Sequence, residues 1–198
     1  MTELAPNLIE ASDIERGKDE KLRIGVLFGG ENKHFTFGDD LVRSLSAGIK
    51  KACDETGGIF NVTTSRRTSA GSENILSKEL KNDPRCESFV VGKNDQDEDT
   101  VKKIMQKSRV ILVSGESISM VSEAVSSSRP VLVFIPDKKT KTKTKYEKFV
   151  ERLGSAGVLR VIEVKDIPRE ISNIAEGRVV FNIPDDRKKI YEKLYKLF

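Results

Sequence analysis

The sequence predicts an α/β fold, a doubly wound parallel six-stranded Rossmann-like sheet with helices on both faces. Three observations predict it. Continuous apolar runs rich in Val, Ile and Leu alternate with segments of helical periodicity, the signature of repeated βαβ units. The 198 residues suffice for one α/β domain with a real core and are too few for two ordinary ones. Hydrophobic residues at 37% and charged residues at 33% describe a globular chain, neither disordered nor membrane-embedded.

Residues 1–21 read as a polar leader and 22–198 as the folded domain. "LRIGVLF", from Leu22, is a strand buried on both faces, and it ends at Gly29-Gly30. A helix starts near Asp39 with Leu41, Leu45, Ile49 and Ala52 along one face, and stops at Gly57-Gly58. "IFNVTT" is the second strand, ending in Ser65-Arg66-Arg67. A helix over about 69–81 leads to a third strand, Ser88 to Gly92. A short helix around Val101 to Lys107 precedes the fourth strand, "RVILVSG", and "SISMVSEAVSSS" forms the helix after it. "PVLVFI" opens with Pro130, which the first residue of a strand tolerates. Tyr146 to Leu153 is helical, "VLRVIEV" is the sixth strand, and a C-terminal helix is expected from about 185, with Ile190, Leu194 and Phe198 on one stripe. The expected strand order is 3-2-1-4-5-6.

The formal charge of +4 is carried by one segment: Lys138 to Lys145 holds five lysines, and +4 minus 5 leaves −1 for the rest. No basic face is implied, so nucleic acid is not an expected partner. Alternating Lys and Thr without apolar anchors reads as a solvated, mobile loop, with binding of phosphate or acidic lipid, or a substrate held under a mobile lid, as the minority alternatives. No apolar run approaches the roughly 20 residues of a membrane span. Cys53 and Cys86 show neither disulfide-framework nor metal-site spacing, and a cytoplasmic location, with a membrane surface as the other option, is expected.

Ligands of such sheets bind outside the carboxyl ends of the strands, where the strand order reverses. That point lies between the first strand, ending in Gly29-Gly30, and the fourth, ending in Ser114-Gly115-Glu116-Ser117. Glycines admit close approach and helix N-termini offer amides, so a phosphate or diphosphate site is expected there. Neither G-x-x-x-x-G-K-[ST] nor G-x-G-x-x-G is present. Arg66 and Arg67 stand where an NAD enzyme carries an acid, which keeps an NADP-dependent reductase among the alternatives. His34 is the one catalytic candidate, although no Ser-His-Asp or paired-carboxylate arrangement surrounds it. No cluster of metal ligands is visible.

"GVLFGGENKHFTFG", "VTTSRRT" and "VSGESISMVSEAVSSSRPVLVF", in this order, resemble the mitochondrial-fission family named after a plant elongated-mitochondria protein, a relative of GT-B glycosyltransferases. The third segment also resembles the donor-binding helix of the lipid-linked N-acetylglucosaminyltransferase of peptidoglycan synthesis. The resemblance runs from about Leu22 to Gly157 and matches only the C-terminal half of the family. It implies a nucleotide-diphosphate-sugar as ligand, with no other cofactor. Gly29, Gly30 and the Lys33-His34 pair would line the cleft, and Ser65, Arg66 and Arg67 would approach phosphate. Ser114, Gly115, Ser117 and Ser119 would hold the diphosphate, Glu123 the ribose hydroxyls, and the backbone at Val91 and Gly92 would face the base. Ser119 and Glu123 share a helix face opposite Ile118, Val121 and Val125, and Glu123 is not explained as a cap. The resemblance further implies a partner: a missing N-terminal domain, or a second copy docked through the C-terminal helix. Little transfer activity is then expected from this chain alone, and a non-enzymatic fission-type adaptor keeping the fold is the alternative.

Overall fold

The computed structural model describes residues 21–94 and 99–182. In chain order the elements are β1 (Arg23–Phe28), β2 (Phe35–Thr36), α1 (Asp39–Thr56), β3 (Ile59–Thr64), α2 (Ala70–Leu76), β4 (Cys86–Val90), α3 (Thr100–Lys107), β5 (Val110–Ser114), α4 (Ile118–Ser126), β6 (Val131–Phe134), β7 (Asp137–Lys138), α5 (Lys145–Ser155), β8 (Arg160–Ile162) and α6 (Ile167–Ala175). Six strands form one parallel sheet in the order β4-β3-β1-β5-β6-β8. This is the predicted 3-2-1-4-5-6 order, with its reversal between β1 and β5.

Both faces of the central strands are buried, as their uninterrupted apolar composition requires. Ile24, Val26 and Phe28 of β1, Val110 and Leu112 of β5 and Leu132 and Phe134 of β6 face α1, α2 and α6. Leu27, Ile111, Val113, Val131 and Val133 face α3, α4 and α5. The period of two thus sorts one run of residues into two cores. Leu45 and Ile49 of α1 are fully buried, each contributing about 1.5–3 kcal/mol of hydrophobic stabilisation. Gly57 ends α1 in the left-handed region at φ 67°, its amide donating to the Cys53 carbonyl, as the Gly-Gly signal predicts.

Four features depart from the sequence reading. The second helix keeps α geometry only to Leu76 and continues as a π turn over Ser77–Lys81, which keeps both Leu76 and Leu80 buried. The sixth strand is short, and the chain after it forms α6, whose Ile167 and Ile171 pack on α1 beside Gly48. β2 and β7 make a small antiparallel ribbon joining the loops after β1 and β6. The lysine run is structured at both ends. Lys138 lies in that ribbon and pairs with Glu147 at 2.9 Å, and Thr144 caps α5 in a full capping box with Glu147. The expected C-terminal helix from about 185 and most of the polar leader lie outside the described residues.

No helix among the described residues is long and apolar enough to cross a membrane. Cys53 is buried, and burial pushes its thiol up to about 12, which leaves it inert as a nucleophile.

Candidate functional site

The chain reversal brings the carboxyl ends of β1 and β5 side by side, and the loop after β3 closes the third side. Gly29 donates its N–H to Ser114 Oγ at 2.8 Å, and Gly30 donates to Glu116 Oε1 at 3.0 Å. Thr68 Oγ1 donates to the Gly29 carbonyl at 2.7 Å and accepts the Ser65 N–H at 2.9 Å, so the Ser65–Thr68 turn is tied to the same glycine. Asn32 adds a contact from its side-chain amide to the Glu116 carbonyl at 3.3 Å, and its Oδ1 accepts the N–H groups of His34 and Phe35.

These close contacts explain the glycines. A Cβ on Gly29 would stand 1.7 Å from Glu116 Oε1, and one on Gly30 would stand 2.4 Å from the Arg67 backbone carbon. A Cβ on Gly115 would meet the Ile135 and Val133 side chains, and one on Gly92 would stand 2.2 Å from the Thr64 carbonyl oxygen. The glycine pair therefore serves the approach of one protein segment to another. Its amides are occupied by Ser114 and Glu116.

The helix N-termini differ. α1 begins at Gly38, whose amide is taken by Asp137 Oδ2 at 3.0 Å, and Asp39 and Asp40 fill its first turn; an anion is disfavoured there. α4 has no acid in its first turn. Ser117 caps it by accepting the Met120 N–H, and the Val121 N–H goes to the Ser117 carbonyl. The amides of Ile118 and Ser119 have no intrahelical acceptor, so α4 opens toward the crevice with anion-binding capacity.

Around this opening the fold assembles Gly29, Gly30, Ser114, Gly115, Ser117 and Arg67 from the predicted set. Arg66 and Arg67 are exposed on the β3–α2 turn, and Ser119 and Glu123 are exposed on one face of α4 while Val121 and Val125 are buried. Glu123 has no hydrogen bond or ion pair among the described residues. Val91 and Gly92 lie beyond the end of β4, against Thr64, whose hydroxyl accepts the Gly92 N–H at 3.0 Å. Lys33 is exposed. His34 is drawn to the ribbon, where its carbonyl accepts the Lys139 N–H and its ring lies 5.9 Å from that of Tyr146; among the described residues no carboxylate orients it as a general base.

The residue that sequence reasoning passed over is Glu116. It is fully buried, and burial pushes its carboxyl up to about 7 against the weaker downward pull of the Ser114 hydroxyl, its own amide, the Gly30 amide and the Arg67 charge. Its Oε2 has no hydrogen-bond partner. An acid placed directly after an apolar strand at the switch point was the available signal. No group of three or more metal-ligating side chains occurs among the described residues.

The fold has clear relatives. The chain superposes on the UDP-GlcNAc 2-epimerase of Neisseria meningitidis, solved with UDP-GlcNAc, with a TM-score of 0.56 at 16% identity, covering 88% of this chain and 45% of the epimerase. It superposes on the solution structure of ALG13 with a TM-score of 0.60 at 10% identity, covering 90% and 96% of the two chains. A MnaA–UDP structure from S. aureus matches with a TM-score of 0.55 at 15% identity, over 98% of this chain and 50% of that one. At these identities the likeness establishes a GT-B glycosyltransferase-like domain fold. In sequence, the chain is 28% identical over 138 residues to the uncharacterized protein RP120 of Rickettsia prowazekii (strain Madrid E), 69% of this chain but only 37% of that relative's length. The family described as mitochondrial fission ELM1 matches residues 2–178, and the chain belongs to it.

Proposed function

We propose that the crevice at the ends of β1 and β5 binds a nucleotide-diphosphate-sugar, and that this chain supplies the donor-binding half of a GT-B glycosyltransferase-like protein. The observation that carries the reading is the N-terminus of α4: capped by Ser117, free of acids in its first turn, and opening at the strand-order reversal beside the Ser65–Thr68 turn. The ligands named for two fold neighbours, UDP-GlcNAc and UDP, make uridine nucleotides the first probes. In this reading the diphosphate meets the Ile118 and Ser119 amides with Arg67 alongside, and the exposed Glu123 accepts hydrogen bonds from the ribose hydroxyls. The acceptor and any catalytic base come from a further domain, so the chain alone binds without transferring.

Titration calorimetry with UDP and UDP-GlcNAc tests this. Saturable binding is expected, and Glu123→Ala is expected to weaken it by about 1.5–3 kcal/mol while leaving the fold intact, the range for a hydrogen bond to a charged group. Equal affinity in the variant would remove Glu123 from the site. A second reading, an adaptor that keeps the fold with a closed site, is favoured by one observation: both amides of the Gly29-Gly30 turn are already occupied from within the protein. Absence of binding by the unaltered chain to UDP-, GDP- and CMP-sugars would favour the adaptor.

A further inference from the structure

Glu116 stands immediately before the cap of α4 and beneath the turn that ends β1. Its Oε1 accepts the Gly30 N–H at 3.0 Å and fills the space a Gly29 side chain would need. Among the described residues its Oε2 is buried without a hydrogen-bond partner, and the carboxyl forms no ion pair. The groups facing it come from three segments. The loop after β1 contributes the Gly30 amide and, through the Glu116 carbonyl, the Asn32 amide; its own acid, Glu31, lies at 3.5 Å from Lys139. The end of β5 contributes the Ser114 hydroxyl, and the β3–α2 turn contributes the Arg67 charge. From β6, the neighbourhood of Gly115 is apolar, formed by Ile135 and Val133.

A diphosphate at the α4 N-terminus would bring two or more negative charges beside this buried carboxyl. In a poorly solvated site, two like charges at close range disfavour each other strongly. An ionised Glu116 and a bound diphosphate are therefore incompatible neighbours, whereas a neutral acid is a suitable one, with an O–H to donate.

We propose that Glu116 couples diphosphate binding to a proton: when the anion enters the crevice, one proton from solvent is taken up at Glu116 Oε2, and the neutral acid forms the floor of the site. The proposal rests on the nucleotide-diphosphate reading above and deepens it. Because free Glu116 titrates near neutral pH, at about 7, the coupling falls where it is measurable. UDP is the probe, since its terminal phosphate, with a pKa of about 6, is already ionised above neutrality and adds no proton of its own.

Calorimetric titration of UDP at several pH values, in buffers of different ionisation enthalpy, counts the protons. The unaltered protein is expected to take up close to one proton per UDP at about pH 8, with Kd rising by up to tenfold per pH unit between about pH 7 and 9. Glu116→Gln, neutral at every pH and able to keep the bond from Gly30, is expected to bind UDP at about pH 8.5 at least as tightly as the parent, with the pH slope gone. Carbon-detected NMR of the Glu116 carboxyl in the unaltered protein, with and without UDP, gives the same assignment should the variant fail to fold. Binding with no proton uptake, or an equal slope in Glu116→Gln, overturns the proposal and leaves the binding site standing. No UDP binding at any pH overturns both.

Discussion

Among the described residues two glutamates are buried, and their surroundings are opposite. Glu170, on α6, is held by Arg160 of β8 at 3.1 Å and by its neighbour Arg169 at 3.1 Å, at the outer edge of the sheet. Glu116, at the central reversal of the sheet, is more deeply buried and has no ion-pairing partner among the described residues. A buried carboxylate with arginines around it is explained by folding alone, as a fastening of β8 to α6. One without them raises its own pKa and gains nothing for stability by ionising. The contrast separates an acid that holds the fold together from an acid that the fold tolerates at the central reversal of its sheet.

The sharpest way to break the Glu116 arrangement is Gly29→Ala. The new methyl would overlap Glu116 Oε1, which is enclosed on all sides, and a loss of about 3 kcal/mol or more is expected in urea unfolding. Combining it with Glu116→Ala is expected to recover part of that loss, because the two side chains compete for one space. Independent, additive effects of the two changes would show that the turn is strained elsewhere.

Next in size is the pH dependence of stability. The folded-state pKa of Glu116 is raised from 4.5 to about 7, so the protonated form is favoured by folding. Its contribution is complete below about pH 4.5 and is lost as pH rises through about 7. The loss is roughly 3 kcal/mol, at about 1.4 kcal/mol per pKa unit. Measured against Glu116→Gln across this range, the unaltered protein is expected to fall steadily behind the variant. Parallel curves would mean that the carboxyl is better solvated than its burial implies.

Glu170→Gln tests the other half of the contrast. Arg160 and Arg169 are both largely solvent-exposed, so screening reduces what the pair contributes, and a loss of about 1–2 kcal/mol in thermal unfolding is expected. A gain in stability would place Glu170 in the same category as Glu116. The smallest effect is expected from replacing Lys139, Lys141 and Lys143 together with serine. Lys139 reaches Glu31 and the Asn32 carbonyl and Lys143 pairs with Glu151, but the three lysines are exposed, and a change of under about 1 kcal/mol is expected. A larger loss would show that the β2–β7 ribbon depends on them.

Much of the fold was legible in the chain because it is decided locally. The apolar runs that became β1, β5 and β6 are short, β-branched and uninterrupted, and a parallel sheet covered on both faces is the arrangement that buries them all. Both ends of α1 were readable from Asp39 and Gly57, since first-turn acids and a left-handed glycine act within one turn. α6 carries legible signals too, with Pro168 in its first turn and Ile167, Ile171 and Ile174 at helical spacing, but the reading passed from the sixth strand, ending at Val164, directly to the C-terminal helix. Of the candidate site, the location was readable and the working parts were not. Strand-end chemistry pointed to Ser114, Gly115 and Ser117, which lie at the sheet reversal, while Glu116, between them, read as one more turn residue.

What the sequence by itself determined is therefore the order of elements and the place where a ligand could sit, because periodicity and turn chemistry depend on neighbours a few residues apart. What only the tertiary structure decided is which polar groups remain available there. The Gly29 and Gly30 amides are occupied by side chains 85 and 86 residues away, and the Gly38 amide by one 99 residues away. Hydrogen bonds of that range exist only after the sheet has brought β1 beside β5 and the loop of β6 over α1. Glu116 carries an unusual proton for the same reason: desolvation comes from everything packed around a group and from nothing in its immediate sequence.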